Sequence, residues 1–181
     1  MSEKKKIFAI IGSASQNSAC EKLVIHLAKL TNDDFHVAIY KDLKKLPHFD
    51  PELSIADTPE PVVEFRMQIE KADGIIICTP EYVFSIPALL KNAIEWCVST
   101  TVFSGKPIGL ITASLHGQKA HEELQLIMKT VMTRFTDDTT LLIQGVKGKM
   151  NELGEITNST TVMDLMKFIN AFKEQIKNTS P

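Results

Sequence analysis

The sequence predicts a doubly wound α/β domain: five parallel strands in the order 2-1-3-4-5, with helices on both faces of the sheet. Three observations predict it. Short, wholly apolar runs alternate with longer segments of helical period, the pattern of a parallel sheet covered on both sides. Five such runs interleave with five helical segments, and 2-1-3-4-5 is the common strand order for that count. No repeat or linker divides the 181 residues, a length that suits one domain, 1–181, with a full core.

Residues Ile7 to Ile11 form the first strand, and the second is Phe35 to Tyr40, entered from Asn32-Asp33-Asp34. Between them, Leu23, Val24, Leu27, Ala28 and Leu30 recur at helical spacing over Ala19 to Leu30. Residues 41 to 58 carry Pro47, Pro51, Asp50 and Asp57 without periodicity, so they read as a long loop with at most a turn of helix. Pro59 and Pro61 suit the first turn of the next helix, continued by Val62, Val63, Phe65, Arg66 and Ile69. Ile75 to Cys78 is the third strand, and a helix runs from Pro87 to Val98 with Leu89, Leu90, Ala93, Ile94 and Cys97 inward. Pro107 to Ala113 is the fourth strand, followed by a helix from Lys119 to Phe135 using Leu124, Ile127, Met128 and Val131. Thr139 to Ile143 is the fifth strand, and the last helix, Thr160 to Lys177, presents Val162, Leu165, Met166, Ile169, Phe172 and Ile176. Residues 145 to 158 read as a surface excursion or a small hairpin.

Composition excludes several function classes. With 44% apolar and 23% charged residues and a net charge of -2, the chain has no basic surface to offer a nucleic acid. The apolar run Ile7 to Ile11 is too short for a signal peptide or a membrane span, so the expected location is cytoplasmic, with no membrane partner. Cys20, Cys78 and Cys97 show no C-x-x-C spacing and suggest neither a disulfide framework nor a zinc site. Cys78 and Cys97 read as small core residues, leaving Cys20 as the one of interest. His26, His36, His48, His116 and His121 are scattered, and His121-Glu122-Glu123 lacks the second histidine of a zinc-protease helix. No G-x-S-x-G marks a serine hydrolase.

In a doubly wound sheet, ligands bind beyond the carboxyl ends of the strands where the order reverses, which selects the loops after strands one, three and four. After the first strand stands Gly12-Ser13-Ala14-Ser15-Gln16-Asn17-Ser18-Ala19. Its hydroxyls and amide at a helix N-terminus suit a phosphate, while capping by Ser18 and an ordinary turn are an equal alternative. Neither a Walker loop nor G-x-G-x-x-G is present, which leaves a mononucleotide phosphate. After the third strand, Thr79-Pro80-Glu81-Tyr82-Val83-Phe84-Ser85-Ile86-Pro87 pairs aromatics with prolines and can flank a planar heterocycle, although Tyr82 and Phe84 also suit loop packing. After the fourth, Ser114-Leu115-His116-Gly117-Gln118 offers a third wall, with helix capping by Ser114 as its rival. His116 is a candidate ring-side group or an exposed loop histidine.

Gly12-Ser13-x-Ser15-x-x-Ser18, Pro80-Glu81-Tyr82-x-x-Ser85-x-Pro87 running on through Leu90 to Trp96, and Gly105-Lys106-Pro107 with Thr112-Ala113-Ser114 together resemble the NADPH-dependent FMN reductase family. The likeness extends from residue 6 to residue 178. It implies a flavodoxin-like fold, bound FMN, and reduction of a small acceptor (flavin, quinone, azo compound or metal oxyanion) by NADPH or NADH, in a homodimer or homotetramer. By position it implies that Ser13, Ser15 and Ser18 hold the FMN phosphate, that Pro80, Glu81, Tyr82 and Ser85 line the ring, and that Ser114 and Gly117 close its far edge. No side-chain nucleophile is expected, because the flavin performs the redox chemistry. The chain departs from the family at Ser15, where many members carry arginine, and at Cys20 and Val83, where asparagine is frequent. The glycine-rich run after strand four is reduced to His116-Gly117-Gln118. A non-enzymatic electron carrier or flavin-sensing interaction protein is the alternative, though the near-neutral composition offers it little charged docking face. A phosphate-binding domain without flavin is a third reading. The helix after Pro87, with Trp96 near its end, and the 41–58 loop are candidate interface elements, although an aromatic at an edge can equally be core.

Overall fold

The computed structural model describes residues 3–178. In chain order the elements are β1 (Lys5–Ile11), α1 (Ala19–Leu30), β2 (Phe35–Tyr40), α2 (Glu60–Lys71), β3 (Gly74–Thr79), α3 (Ala88–Glu95), β4 (Ile108–Ser114), α4 (Gln118–Thr130), β5 (Thr140–Gln144) and α5 (Ser159–Lys177). The sheet has the order β2-β1-β3-β4-β5, and every pairing is parallel, as expected. Its central strands are apolar on both sides because both faces are covered. Phe8, Ile10, Ile75, Ile77 and Leu110 meet α2, α3 and α4 on one face, and Ile7, Ile11, Ile76 and Ile111 meet α1 and α5 on the other.

The 41–58 loop is long and contains a single helical turn, Leu43–Lys45, as its proline content predicts. Trp96 is core rather than interface: it is 0% exposed, donates its indole N–H to Pro47 O at 2.8 Å, and meets Phe49 edge-on. That contact staples the long loop to α3. The same residue ends the helix three residues before the expected Val98, because Arg66 Nε takes the Trp96 carbonyl at 2.8 Å.

Three other helical expectations are corrected. Helix α4 stops at Thr130 instead of reaching Phe135. Met132 turns left-handed (φ 61), Thr133 N–H reaches back to Met128 O, and Arg134 then pairs with the entry to β4 through Lys106 O and Ile108 N. On α5, Val162 and Met166 face outward, and Phe168 takes the inner position instead. Phe168 lies over Gly109 of β4, where a Cβ would stand 2.6 Å from its Cζ, and it stacks parallel to Phe172. Leu30, expected on the buried stripe of α1, is likewise exposed. The 145–158 segment is a helical turn (Val146–Lys149) and a one-bridge hairpin, Met150 with Ile156.

Because Phe168 is 1% exposed and seated on a glycine that admits no larger neighbour, Phe168→Ala leaves a cavity that the sheet cannot fill. We expect a loss of about 3–5 kcal/mol in urea unfolding with an unchanged denaturant slope. A loss below about 1 kcal/mol would show that α5 does not depend on this contact.

Candidate functional site

The ends of β1 and β3 lie hard together. Gly12 N–H donates to Cys78 O at 2.8 Å, and a Cβ on Gly12 would meet Thr79 Oγ1 at 2.6 Å. Beyond this pair the chain leaves toward α1 on one face and toward α3 on the other, so a crevice opens between the loops. It encloses a cavity of about 650 Å3. Of the residues singled out from the sequence, Ser13, Ser15, Ser18, Pro80, Glu81, Tyr82 and Ser114 line it. Ser85, Gly117 and His116 do not.

The loop after β1 presents hydroxyls and backbone N–H groups at the start of α1. Ser18 caps α1, its Oγ accepting from Glu21 N–H at 3.1 Å, so the capping alternative holds for that hydroxyl. Ser13 Oγ accepts from Ser15 N–H at 3.2 Å and lies 3.3 Å from the Tyr82 hydroxyl, joining this loop to the one after β3. The N–H groups of Gln16, Ser18, Ala19 and Cys20 find no acceptor among the described residues. A row of open amides at a helix start, with the helix dipole behind it, favours a phosphate.

In the loop after β3, Tyr82 and Ser85 exchange both backbone hydrogen bonds (2.9 and 3.1 Å) around a two-residue turn. Its central residues, Val83 (φ 53) and Phe84 (φ 58), are both left-handed and are 94% and 73% exposed. A β-branched residue in this conformation is strained, and the turn is held from outside. Glu123 of α4 accepts from Ser85 Oγ at 2.7 Å and from Ile86 N–H at 2.9 Å. Ser85 therefore anchors the loop, and the Tyr82 N–H is spent inside the turn.

Glu81 is likewise occupied. Its carboxylate accepts from Gly117 N–H (3.1 Å) and Ala120 N–H (3.0 Å), capping α4 from another loop. Burial pushes its carboxyl up, but the N–H donors of Ala120, Gly117 and Lys119 outweigh this and hold it below the ordinary carboxylate range. Gly117 is the N-cap position at φ 87, where a Cβ would meet Leu142 Cδ1 at 2.9 Å, and Ser114 is the last residue of β4 and caps nothing. His116 is exposed.

The structure adds residues that sequence reasoning missed. Residues 145–148, including Lys147, form the far wall of the cavity, with Leu115 and Cys20. The signal was available: a Gly-Val-Lys-Gly run follows β5 directly and so leaves the sheet at its carboxyl end. Cys20 is 1% exposed beside the cavity, with its Sγ 3.8 Å from Ala113 O. Burial, and then hydrogen bonding to Cys20, push the neighbouring Cys78 thiol well up. Both side chains are buried packing groups. His121 lies behind β4, bonded to Thr112 Oγ1 at 3.0 Å, with burial pushing its pKa down. Among the described residues, no helix is long and apolar enough to cross a membrane.

The chain is similar to several known proteins along most of its length. It is 27% identical to a 2-hydroxy-1,4-benzoquinone reductase from a Burkholderia species (96% of this chain, 97% of the relative). It is 27% identical to the quinone reductase of Escherichia coli K12 (98% of each). Among solved structures, the flavoenzyme NAD(P)H:(acceptor) oxidoreductase of Paracoccus denitrificans superposes with a TM-score of 0.85 at 28% identity, covering 96% of this chain and 98% of that one. The model of the NADPH-dependent FMN reductases matches residues 5–146, spanning β1 to β5 and all three loops around the crevice. The chain belongs to the NADPH-dependent FMN reductase family, and is by that membership an FMN-dependent oxidoreductase supplied with electrons by NAD(P)H.

Proposed function

We propose that the crevice holds FMN with its phosphate on the Ser13–Ser18 loop and its ring between Pro80–Tyr82 and Ser114, and that the acceptor is a quinone. The observation that carries this reading is the row of open amides at Ser18, Ala19 and Cys20, set at one end of a cavity of about 650 Å3. Anion donors at one end and apolar and aromatic walls along the rest match a flavin mononucleotide in chemistry. The quinone assignment is supported by full-length similarity to two quinone reductases and by the apolar lip of Tyr82, Val83, Phe84 and Leu115.

Bound FMN supplies hydride acceptance and two-electron delivery. The chain's own residues bind and position. Glu81 ties the loop after β3 to the start of α4, so the two walls flanking the ring move as one body. Ser13 and Tyr82 tie the phosphate loop to the same wall. The exposed lip leaves the ring open to a nicotinamide and then to the acceptor, which gives ping-pong kinetics.

Purified protein incubated with FMN and freed of excess ligand is expected to keep its visible flavin bands, to bleach with NADPH under anaerobic conditions, and to recover colour on adding benzoquinone. Failure to retain FMN at any concentration tested would sink the reading. Glu81→Gln keeps the size of the side chain but loses its charge and turns one of the two accepting oxygens into an NH2 that faces an N–H; we expect about 1 kcal/mol less stability near neutral pH, together with weaker FMN binding. The cap is strongest with the carboxylate ionised, and the folded pKa lies below the unfolded one. Its contribution is therefore full above the ordinary carboxylate range and fades as pH falls through the folded pKa, so wild type and Glu81→Gln converge in acid. Parallel stability curves at all pH values would refute the assignment. Replacing Val83-Phe84 by Asn-Gly relieves two left-handed residues and is expected to raise stability by about 1–2 kcal/mol. The same change is expected to raise KM for an alkylated quinone and leave that for ferricyanide unaltered; equal effects on both would remove the lip from acceptor binding.

A further inference from the structure

The loop after β1 carries serine at position 15 and no basic residue, and the first turn of α1 holds an acid. Glu21 is 8% exposed, and its carboxylate points back toward the loop. Ser18 and Glu21 have the spacing of a capping box, in which the acid three residues on accepts from the N–H of the capping residue. Half of that box is present here: Ser18 Oγ accepts from Glu21 N–H at 3.1 Å. The other half is displaced by one residue. Glu21 Oε2 accepts from Asn17 N–H at 3.0 Å, and Asn17 stands left-handed at φ 51. The Ser18 N–H is thereby left open.

The displacement has a visible cause. Lys41, just past β2, places its Nζ 3.0 Å from Glu21 Oε1 and so engages the carboxylate from the far side of the loop. Lys41, Lys44, Glu21 and residues 13–17 share a second cavity of about 390 Å3 that backs onto the first. Without Lys41, the carboxylate is free to swing to the Ser18 amide and close the ordinary box, occupying a donor that the phosphate needs. Its uncompensated charge also repels an anion at the helix start.

Resting on the reading of the crevice as an FMN site, we propose that Lys41 is a positioning residue for the anionic end of the cofactor, acting through Glu21. By holding Glu21 on the Asn17 amide and balancing its charge, Lys41 keeps the Ser18 amide open. It does so without touching the phosphate.

The test is flavin titration by fluorescence quenching of stripped wild type, Lys41→Met and Lys41→Met/Glu21→Gln, each with FMN and with riboflavin, which lacks the phosphate. Lys41 has a side chain 64% exposed, so its replacement removes little packing, and urea unfolding of each variant checks that the fold is kept. We expect Lys41→Met to weaken FMN about tenfold and to leave riboflavin unchanged. Adding Glu21→Gln is expected to return FMN affinity to within about threefold of wild type, since the neutral amide still accepts from Asn17 and no longer repels. Wild-type FMN affinity in Lys41→Met overturns the proposal. So does an FMN loss that Glu21→Gln leaves unrestored, which would place Lys41 on the phosphate itself, and so does an equal loss for riboflavin. A wild type that takes up no FMN overturns the site reading as well, which separates the two failures.

Discussion

The site depends on the parallel pairing of β1 with β3. Because β2 lies outside β1 while β4 and β5 lie beyond β3, the chain leaves β1 toward the face of α1 and α5, and leaves β3 toward the face of α2, α3 and α4. No connection crosses the gap between the two exits, so a crevice must open there. Gly12 sets how narrow it is at the root. With no Cβ it lets Thr79 close in, and any larger residue would push the two loops apart at their base. Everything of functional interest in the chain hangs from that point.

A crevice alone does not make a rigid site, since three loops that meet only at their roots would move independently. The structure couples them by side chains reaching across the gap. Glu81 and Glu123 work in opposite directions, the first from the β3 loop to the amides of α4, the second from α4 to the amide and hydroxyl of the β3 loop. Two carboxylates spanning one seam fix both its ends. The contact of Ser13 Oγ with the Tyr82 hydroxyl extends the coupling to the phosphate loop. Such cross-links pre-order the walls of the crevice, so a ligand bound there spends little binding energy on ordering them.

The strands were legible because a sheet buried on both faces writes itself as runs of Ile and Ala, and the strand order followed from their count. The three loops were legible because hydroxyls, prolines and aromatics cluster after the first, third and fourth runs. Helix ends were not. Met132 in a left-handed conformation and the capture of the Trp96 carbonyl by Arg66 are tertiary events that leave no local mark. The inner face of α5 was misread at Val162, Met166 and Phe168 because the helix packs over the gap at Gly109, which selects the bulky Phe168. In the site, sequence pointed to the right residues and left their partners open. Glu81 and Ser85 were read as ring contacts, yet each is committed to a partner more than thirty positions away. Only the Ser18-x-x-Glu21 spacing was there to be read, and even it does not foretell that Glu21 bonds one residue early.

The turn at Val83-Phe84 shows how the molecule allots strain. Two left-handed residues without glycine cost on the order of 1–3 kcal/mol each, and the turn persists because both of its flanks are clamped. Tyr82 and Ser85 exchange backbone bonds, and Glu123 fastens Ser85 and Ile86 to α4. A turn of Asn-Gly type meets the same geometry without strain, so stability does not account for these side chains. What they add is exposed apolar surface, 94% and 73%, next in sequence to Tyr82, which lines the crevice. Fold energy is given up at an exposed turn, and the carboxylate that clamps the turn belongs to the same helix that Glu81 caps. Strain at the lip and rigidity of the walls are therefore two effects of one set of contacts, and a change in α4 that weakens either clamp acts on both.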